Sequence, residues 1–172
     1  ASEYLATIHE LASGKPPACD LAQERAVIAT LLEAIRAGVV ASAHDCSDGG
    51  LAVAIAECVM ANPESMMGAD VDLSEWDSLP LRAVLFGEAQ GRIVLSTGEA
   101  DRVMQIAEGN GVAARRIGKV TTYADGLTIG AQGKIVKQGT EQLAEAYHKA
   151  IPRIMDAAPQ SAAIEENDGV KV

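Results

Sequence analysis

Ser42-Ala43-His44-Asp45-Cys46-Ser47-Asp48-Gly49-Gly50-Leu51 follows an apolar extended run, Gly38-Val39-Val40-Ala41, and leads into an apolar, helix-like run from Leu51 to Met60. The stretch is therefore a strand-to-helix connection. It carries the carboxylates of Asp45 and Asp48, the thiol of Cys46, the hydroxyl of Ser47 and the adjacent glycines Gly49 and Gly50. Glycines at such a turn let the backbone come close to a ligand, and the first N–H groups of the helix can face an anion. A carboxylate beside that anion is a natural place for Mg2+, which takes oxygen ligands and substrate phosphates. The plainer alternative for Asp45 is a turn carboxylate that satisfies N–H groups near the helix start. Asp48 directly precedes the glycine pair and is the expected N-cap, a role Ser47 could equally fill. His44 stands at a strand end, where we favour a hydrogen bond to a neighbour over contact with a ligand.

Outward from this stretch, strands and helices alternate. Leu5, Ile8 and Leu11 give a short amphipathic helix over 2–11, broken by Gly14-Lys15-Pro16-Pro17. Asp20 followed by Gln23 resembles a capping box, and Leu21, Ile28, Leu31, Leu32 and Ile35 form a helical stripe that ends at Gly38. Strands are expected over 39–44, 69–73, 92–96 (buried) and 112–120, with helices over 48–61, 79–86 and 98–109. Leu127-Thr128-Ile129 and Lys134-Ile135-Val136 read as a hairpin. A final helix is expected over 140–155, with Leu143, Tyr147, Ile151 and Ile154 on one face and Pro152 kinking or ending it. The pattern predicts an α/β (α+β) fold, a mixed sheet covered by helices.

The chain has 172 residues, 48 % of them apolar and 3 % aromatic, so aliphatic side chains must fill its core. Its formal charge of −10 makes it a poor nucleic acid binder, because phosphate contacts need clustered Lys and Arg. The one basic cluster, Arg115-Arg116 with Lys119, reads more simply as one face of a strand. Cys19, Cys46 and Cys58 include no Cys-x-x-Cys pair, which points to a reducing cytoplasm and away from a disulfide framework. Cys58 reads as a core residue, and a nucleophilic Cys46 is the minority reading. No stretch is long and apolar enough for a membrane helix.

Three quoted segments carry a family resemblance. They are His44-Asp45-Cys46-Ser47-Asp48-Gly49-Gly50-Leu51, Ala54-x-Ala56-Glu57 and Phe86-Gly87-Glu88-Ala89-Gln90-Gly91-Arg92-Ile93-Val94. Together they resemble the C-terminal domain of the phosphoribosylformylglycinamidine synthase family, in the aminoimidazole ribonucleotide (AIR) synthetase-like superfamily of ATP-dependent purine enzymes. Glu3-Tyr4-Leu5 and Gly14-Lys15-Pro16-Pro17-x-x-Asp20-Leu21 resemble the start of that domain. Gly118-Lys119-Val120 and Ala150-Ile151-Pro152-x-x-Met155 resemble its end.

The resemblance implies an AIR synthase C-terminal-domain-like fold. It also implies a share in the ligase that makes formylglycinamidine ribonucleotide from formylglycinamide ribonucleotide, ATP and glutamine-derived ammonia. In that reaction ATP activates the amide oxygen as a phosphoryl imidate, and ammonia displaces phosphate. The motif implies Asp45 as the Mg2+ ligand and Ser47, Gly49 and Gly50 as contacts to ATP or ADP. Glu88 and Gln90 correspond to a Glu-Ser-Gln turn that contacts the ribonucleotide in a related domain, although Ala89 stands here in place of the Ser. No residue is expected to be catalytic. Alone the chain is expected to be inactive, because most of the residues that grip the substrates lie in the N-terminal domains of the same subunit. The partners implied are those domains, a glutaminase subunit and a small accessory subunit, with a homodimer of the fragment possible.

The rival reading is a structural packing module, in which Glu88 and Gln90 tie their turn to the helix at Asp48 and Arg92 pairs with Glu88 or Asp45. Another superfamily enzyme fits the quoted wording less well. The chain divides into a leading helix and linker (1–19), the domain (20–155) and an acidic tail (156–172) expected to be disordered. Either main reading predicts an exposed apolar patch where neighbouring domains would pack.

Overall fold

The structure, a computed structural model, describes residues 2–156. Apart from Asp156, the expected tail lies outside the described residues. Ser2 caps α1 (Glu3–His9) by accepting the Leu5 N–H. Asp20 Oδ1 accepts the N–H groups of Ala22 and Gln23 and so starts α2 (Leu21–Arg36). The inward face of α2, through Ala34, packs with Val39, Val103 and Ile106. The last two belong to α5 (Ala100–Gly109).

Two sheets follow from the alternation. β1 (Ser42–Asp45) pairs antiparallel with β3 (Ile93–Ser96), Asp45 facing Ile93. The expected buried strand at 92–96 is in fact half-buried along its length, because it has a single neighbouring strand. The second sheet has the order β4-β2-β5-β6, formed by β2 (Gly68–Asp72), β4 (Gly118–Thr121), β5 (Leu127–Ala131) and β6 (Lys134–Gln138). β2 runs parallel to β5 and antiparallel to β4, and β5–β6 is the expected hairpin. Ala69, Val71, Leu127, Ile129 and Ala131 face the core. There they meet Leu51, Ala54, Ile55 and Val59 of α3 (Gly50–Met60). Asp70, Asp72 and Thr128 take the opposite, open face, the division usual for an antiparallel-type sheet with one wet side.

Two further expectations are corrected. The strand expected over 112–120 begins only at Gly118. Its ladder needs β2, which ends at Asp72, and the last bond runs from the Asp72 N–H to the Ile117 carbonyl at 2.7 Å. The final helix is split into α6 (Thr140–His148) and α7 (Ala150–Asp156), with the break at Lys149 rather than at Pro152. Pro152 has no N–H for the His148 carbonyl and disfavours helical backbone just before it, so the break falls upstream. α4 (Leu81–Phe86) packs on α3 and delivers the chain to the 87–91 turn beside the motif.

Candidate functional site

Asp45 ends β1 with its side chain 70 % exposed. The Ser47 hydroxyl donates to Asp45 Oδ2. That bond first, and the residue's own backbone N–H second, hold the Asp45 carboxyl below the usual carboxylate range. The result is an ionised, solvent-facing carboxylate beside a hydroxyl. His44 Nδ1 lies 2.6 Å from the Asp45 carbonyl oxygen, and Nε2 lies 3.3 Å from Glu57 Oε2. Its ring is thus held by its own neighbours. Cys46 is buried, and burial pushes its thiol up, which keeps it protonated and unsuited to nucleophilic attack.

The helix start differs from the expectation. Gly49, not Asp48 or Ser47, occupies the N-cap position, and no side chain of its own segment caps it. Its N–H donates instead to Glu88 Oε1 at 2.8 Å, while the Gly50 N–H donates to the Ser47 carbonyl at 3.1 Å. The anion at this helix start is therefore a carboxylate of the chain itself. Gly49 and Gly50 have φ of +80° and +71°, the left-handed region that glycine adopts without strain. A Cβ on Gly50 would lie 2.7 Å from the Gly87 carbonyl oxygen. The close approach these glycines allow is thus to the 86–87 backbone.

The 87–91 turn is fixed from within. Arg92 donates to the carbonyls of Gly87 and Ala89, which corrects the expected pairing with Glu88 or Asp45. The Cys46 N–H donates to the Arg92 carbonyl at 2.9 Å, tying the turn to the motif. Glu88 is half-buried and Gln90 exposed. Glu88 Oε1 also accepts the Glu3 N–H at 2.8 Å, and Tyr4 stacks on Phe86 at 4.7 Å with the rings 4° from parallel. The structure thus brings Asp45, Ser47, Gly49, Gly50 and Glu88 together. Tyr4 and Glu57 join them; both stand in segments that carry the family resemblance, but their contacts to Phe86 and His44 needed the fold to be seen.

Among the described residues, no group of three or more His, Cys, Asp or Glu side chains could hold a metal ion. What Asp45 and Ser47 present is a small set of hard oxygen donors. That set fits Mg2+, which keeps several waters and shares phosphate oxygens, and does not fit a metal needing a full protein cage. A separate open groove of about 390 Å3 runs past Asp70, Glu75, Trp76, Arg115 and Lys119, away from the motif. Its cations are mostly neutralised. Arg115 pairs with Glu75 and lies 5.5 Å over the Trp76 ring, and Lys119 Nζ is 3.6 Å from Asp70.

Comparison with known proteins shows the family of the chain. The family described as AIR synthase related protein, C-terminal domain, matches residues 1–130. A Moorella thermoacetica protein named phosphoribosylformylglycinamidine synthase subunit PurL is 41 % identical over 157 residues, covering 90 % of this chain and 20 % of the relative. One of the same name from Anaeromyxobacter dehalogenans is 40 % identical over 174 residues, covering 94 % and 22 %. The chain therefore spans about a fifth of the length of these relatives. Among solved structures, Thermotoga maritima PurL complexed with ADP aligns with a TM-score of 0.64 at 20 % identity, over 77 % of this chain and 26 % of that one. PurLQS from the same organism aligns with a TM-score of 0.63 at 22 % identity, over 81 % and 24 %. These two likenesses establish the shared fold.

Proposed function

The chain belongs to the AIR synthase related protein C-terminal domain family, and from that membership we propose that it works as the C-terminal domain of a phosphoribosylformylglycinamidine synthase. The whole enzyme would join formylglycinamide ribonucleotide, ATP and glutamine-derived ammonia in purine biosynthesis. The relatives near 40 % identity that carry this name support the reading. The segment 20–155 would be the domain proper, and 1–19 its leading helix and linker. The N-terminal domains of the same subunit would supply most of the substrate contacts, so the chain alone would not turn over. A glutaminase subunit and a small accessory subunit would deliver ammonia, a reading supported by the PurLQS assembly of the Thermotoga protein. The setting would be the cytoplasm, in keeping with three free cysteines, and among the described residues no helix is long and apolar enough to cross a membrane.

The observation that carries the site is the ionised, exposed Asp45 with the Ser47 hydroxyl at its side. Asp45 would hold Mg2+, and Ser47 would face ATP or ADP where the strand ends. Mg2+, when bound, would neutralise phosphate charge. Gly49 and Gly50 would contribute by lacking side chains, since their N–H groups are already engaged. Gln90, exposed on the turn, is the freer of the two proposed ribonucleotide contacts; Glu88 has one oxygen committed to backbone N–H groups.

The test is calorimetric ADP binding, with and without Mg2+, on the full-length subunit and its Asp45→Asn variant after co-purified nucleotide is removed. Loss of a Mg2+-dependent site with the melting temperature kept would support the proposal. Unchanged binding with a lower melting temperature would favour the second reading, a packing module. The internal use of Glu88 as the anion at the α3 start speaks for that reading.

A further inference from the structure

α1 buries none of its residues, and the chain from Glu10 to Asp20 that links it to α2 is exposed and without regular structure. Such an element has little intrinsic stability, and what docks it matters. Two contacts dock its first turn: the Glu3 N–H on Glu88 Oε1, and the Tyr4 ring on Phe86. Both partners belong to the short segment that also shapes the motif. Glu88 Oε1 holds the Gly49 N–H, and the backbone of Phe86 and Gly87 lies against Gly50. One carboxylate oxygen is therefore shared between the first helical N–H of α1 and the N-cap N–H of α3, 46 positions apart in the chain by their numbers, 3 and 49.

We propose that Glu88 is a positioning residue that couples the docking of α1 to the start of α3, so that the leading segment of the domain sets the Asp45–Ser47 turn. When α1 is seated, its N–H group and the Tyr4–Phe86 stack hold the Glu88 carboxylate over Gly49. When α1 leaves, Glu88 loses one of its two donors and Phe86 loses the Tyr4 ring stacked on it, and the Gly49 N–H is held less firmly. In a longer chain, any movement of the segment before α1 would reach the motif by this route. The consequence for ligand affinity rests on the nucleotide reading of the turn; the coupling itself does not.

The experiment is amide hydrogen exchange at Glu3 and Gly49 by NMR on the chain, joined to Mg2+–ADP calorimetry on the full-length subunit. The variants are Glu88→Ala, Glu88→Gln and Tyr4→Ala. In Glu88→Ala, exchange at both amides should rise about ten- to a hundredfold, the range for losing a hydrogen bond to a charged acceptor. Glu88→Gln keeps an acceptor oxygen and should return both amides, and ADP affinity, most of the way to the parent values. Tyr4→Ala touches neither Glu88 nor Gly49, yet should speed exchange at both Glu3 and Gly49. The proposal is overturned if Tyr4→Ala frees Glu3 while Gly49 keeps its full protection, because the two bonds are then independent. It is equally overturned if Glu88→Gln loses ADP affinity with both amides still protected, which would make Glu88 a direct contact of ADP and not a positioning residue. If the parent protein binds no Mg2+–ADP, the nucleotide reading fails, and the exchange data still decide the coupling.

Discussion

Ser47 is the neighbour that governs Asp45. Its hydroxyl donates to Oδ2 and is the largest cause of the lowered Asp45 pKa. A carboxyl whose folded value lies below the unfolded one adds stability above the unfolded value and loses it as pH falls through the folded value. In Ser47→Ala the Asp45 carboxyl should titrate at higher pH than in the parent, closer to its unfolded value, so this acid-side loss should be smaller and complete at higher pH. Side-chain carboxyl-carbon NMR of Asp45, followed from about pH 6 down to about pH 2 across the ordinary Asp range, reads this directly; coincident curves would remove Ser47 as the cause. Gly50 is the other decisive residue. An alanine there would hold φ of +71° with its Cβ 2.7 Å from the Gly87 oxygen, a backbone atom that cannot swing away. Left-handed strain and overpacking together predict that Gly50→Ala loses about 2–4 kcal/mol in urea denaturation. A loss of only a few tenths would mean that the 86–87 backbone yields freely.

At the scale of elements, the signals carried by neighbouring residues were readable. The Asp20 cap, the extent of α2 and the β5–β6 hairpin all lie where the local pattern puts them, although the apolar stripe of α2 faces outward and Thr30 and Ala34 face the core. Signals that depend on a distant partner were not. Val112 to Ile117 has strand composition, but β2 offers it no ladder beyond Asp72. Asp48 stands where a cap belongs, but the N–H of Gly49 goes to Glu88, 39 residues further on. The motif could be recognised as a turn with a carboxylate and a hydroxyl, while the docking of Tyr4 and the engagement of Arg92 by turn carbonyls needed the fold. The split between α6 and α7 belongs to this scale too. If the missing N–H of Pro152 causes the break at Lys149, Pro152→Ala should let one helix run from Thr140 to Asp156. Slowed amide exchange at Ala150, the first residue past the break, with a modest gain in circular dichroism at 222 nm (roughly the helical band, with each added residue gaining one hydrogen bond), would show it. An Ala150 amide that exchanges as fast as in the parent would remove Pro152 as the cause.

Over the whole molecule, apolar surface is distributed on two sides of the same helix. Thr30 and Ala34 of α2 are buried, whereas Leu21, Ile28, Leu32 and Ile35 are 79 %, 56 %, 43 % and 48 % exposed. The exposed set recurs at intervals of seven, four and three residues, the spacing of a seam along one helix face. Ile151, Ile154 and Met155 of α7 are exposed as well. It is exposed apolar surface of the kind the sequence reading expected where neighbouring domains would pack. If the outer seam of α2 does no work in this fold, Ile28→Lys with Leu32→Lys should change stability by less than about 0.5 kcal/mol, as ordinary surface changes do. The same pair should lower the fluorescence of a dye that binds exposed apolar surface. Ala34→Lys, at 1 % exposure, puts an unpaired charge into the contact with Val39 and Ile106 and should cost about 3 kcal/mol or more. Urea denaturation of the three proteins separates the faces. Equal losses from both substitutions would mean that the outer seam is already covered, and that α2 lies deeper in the molecule than its exposures state.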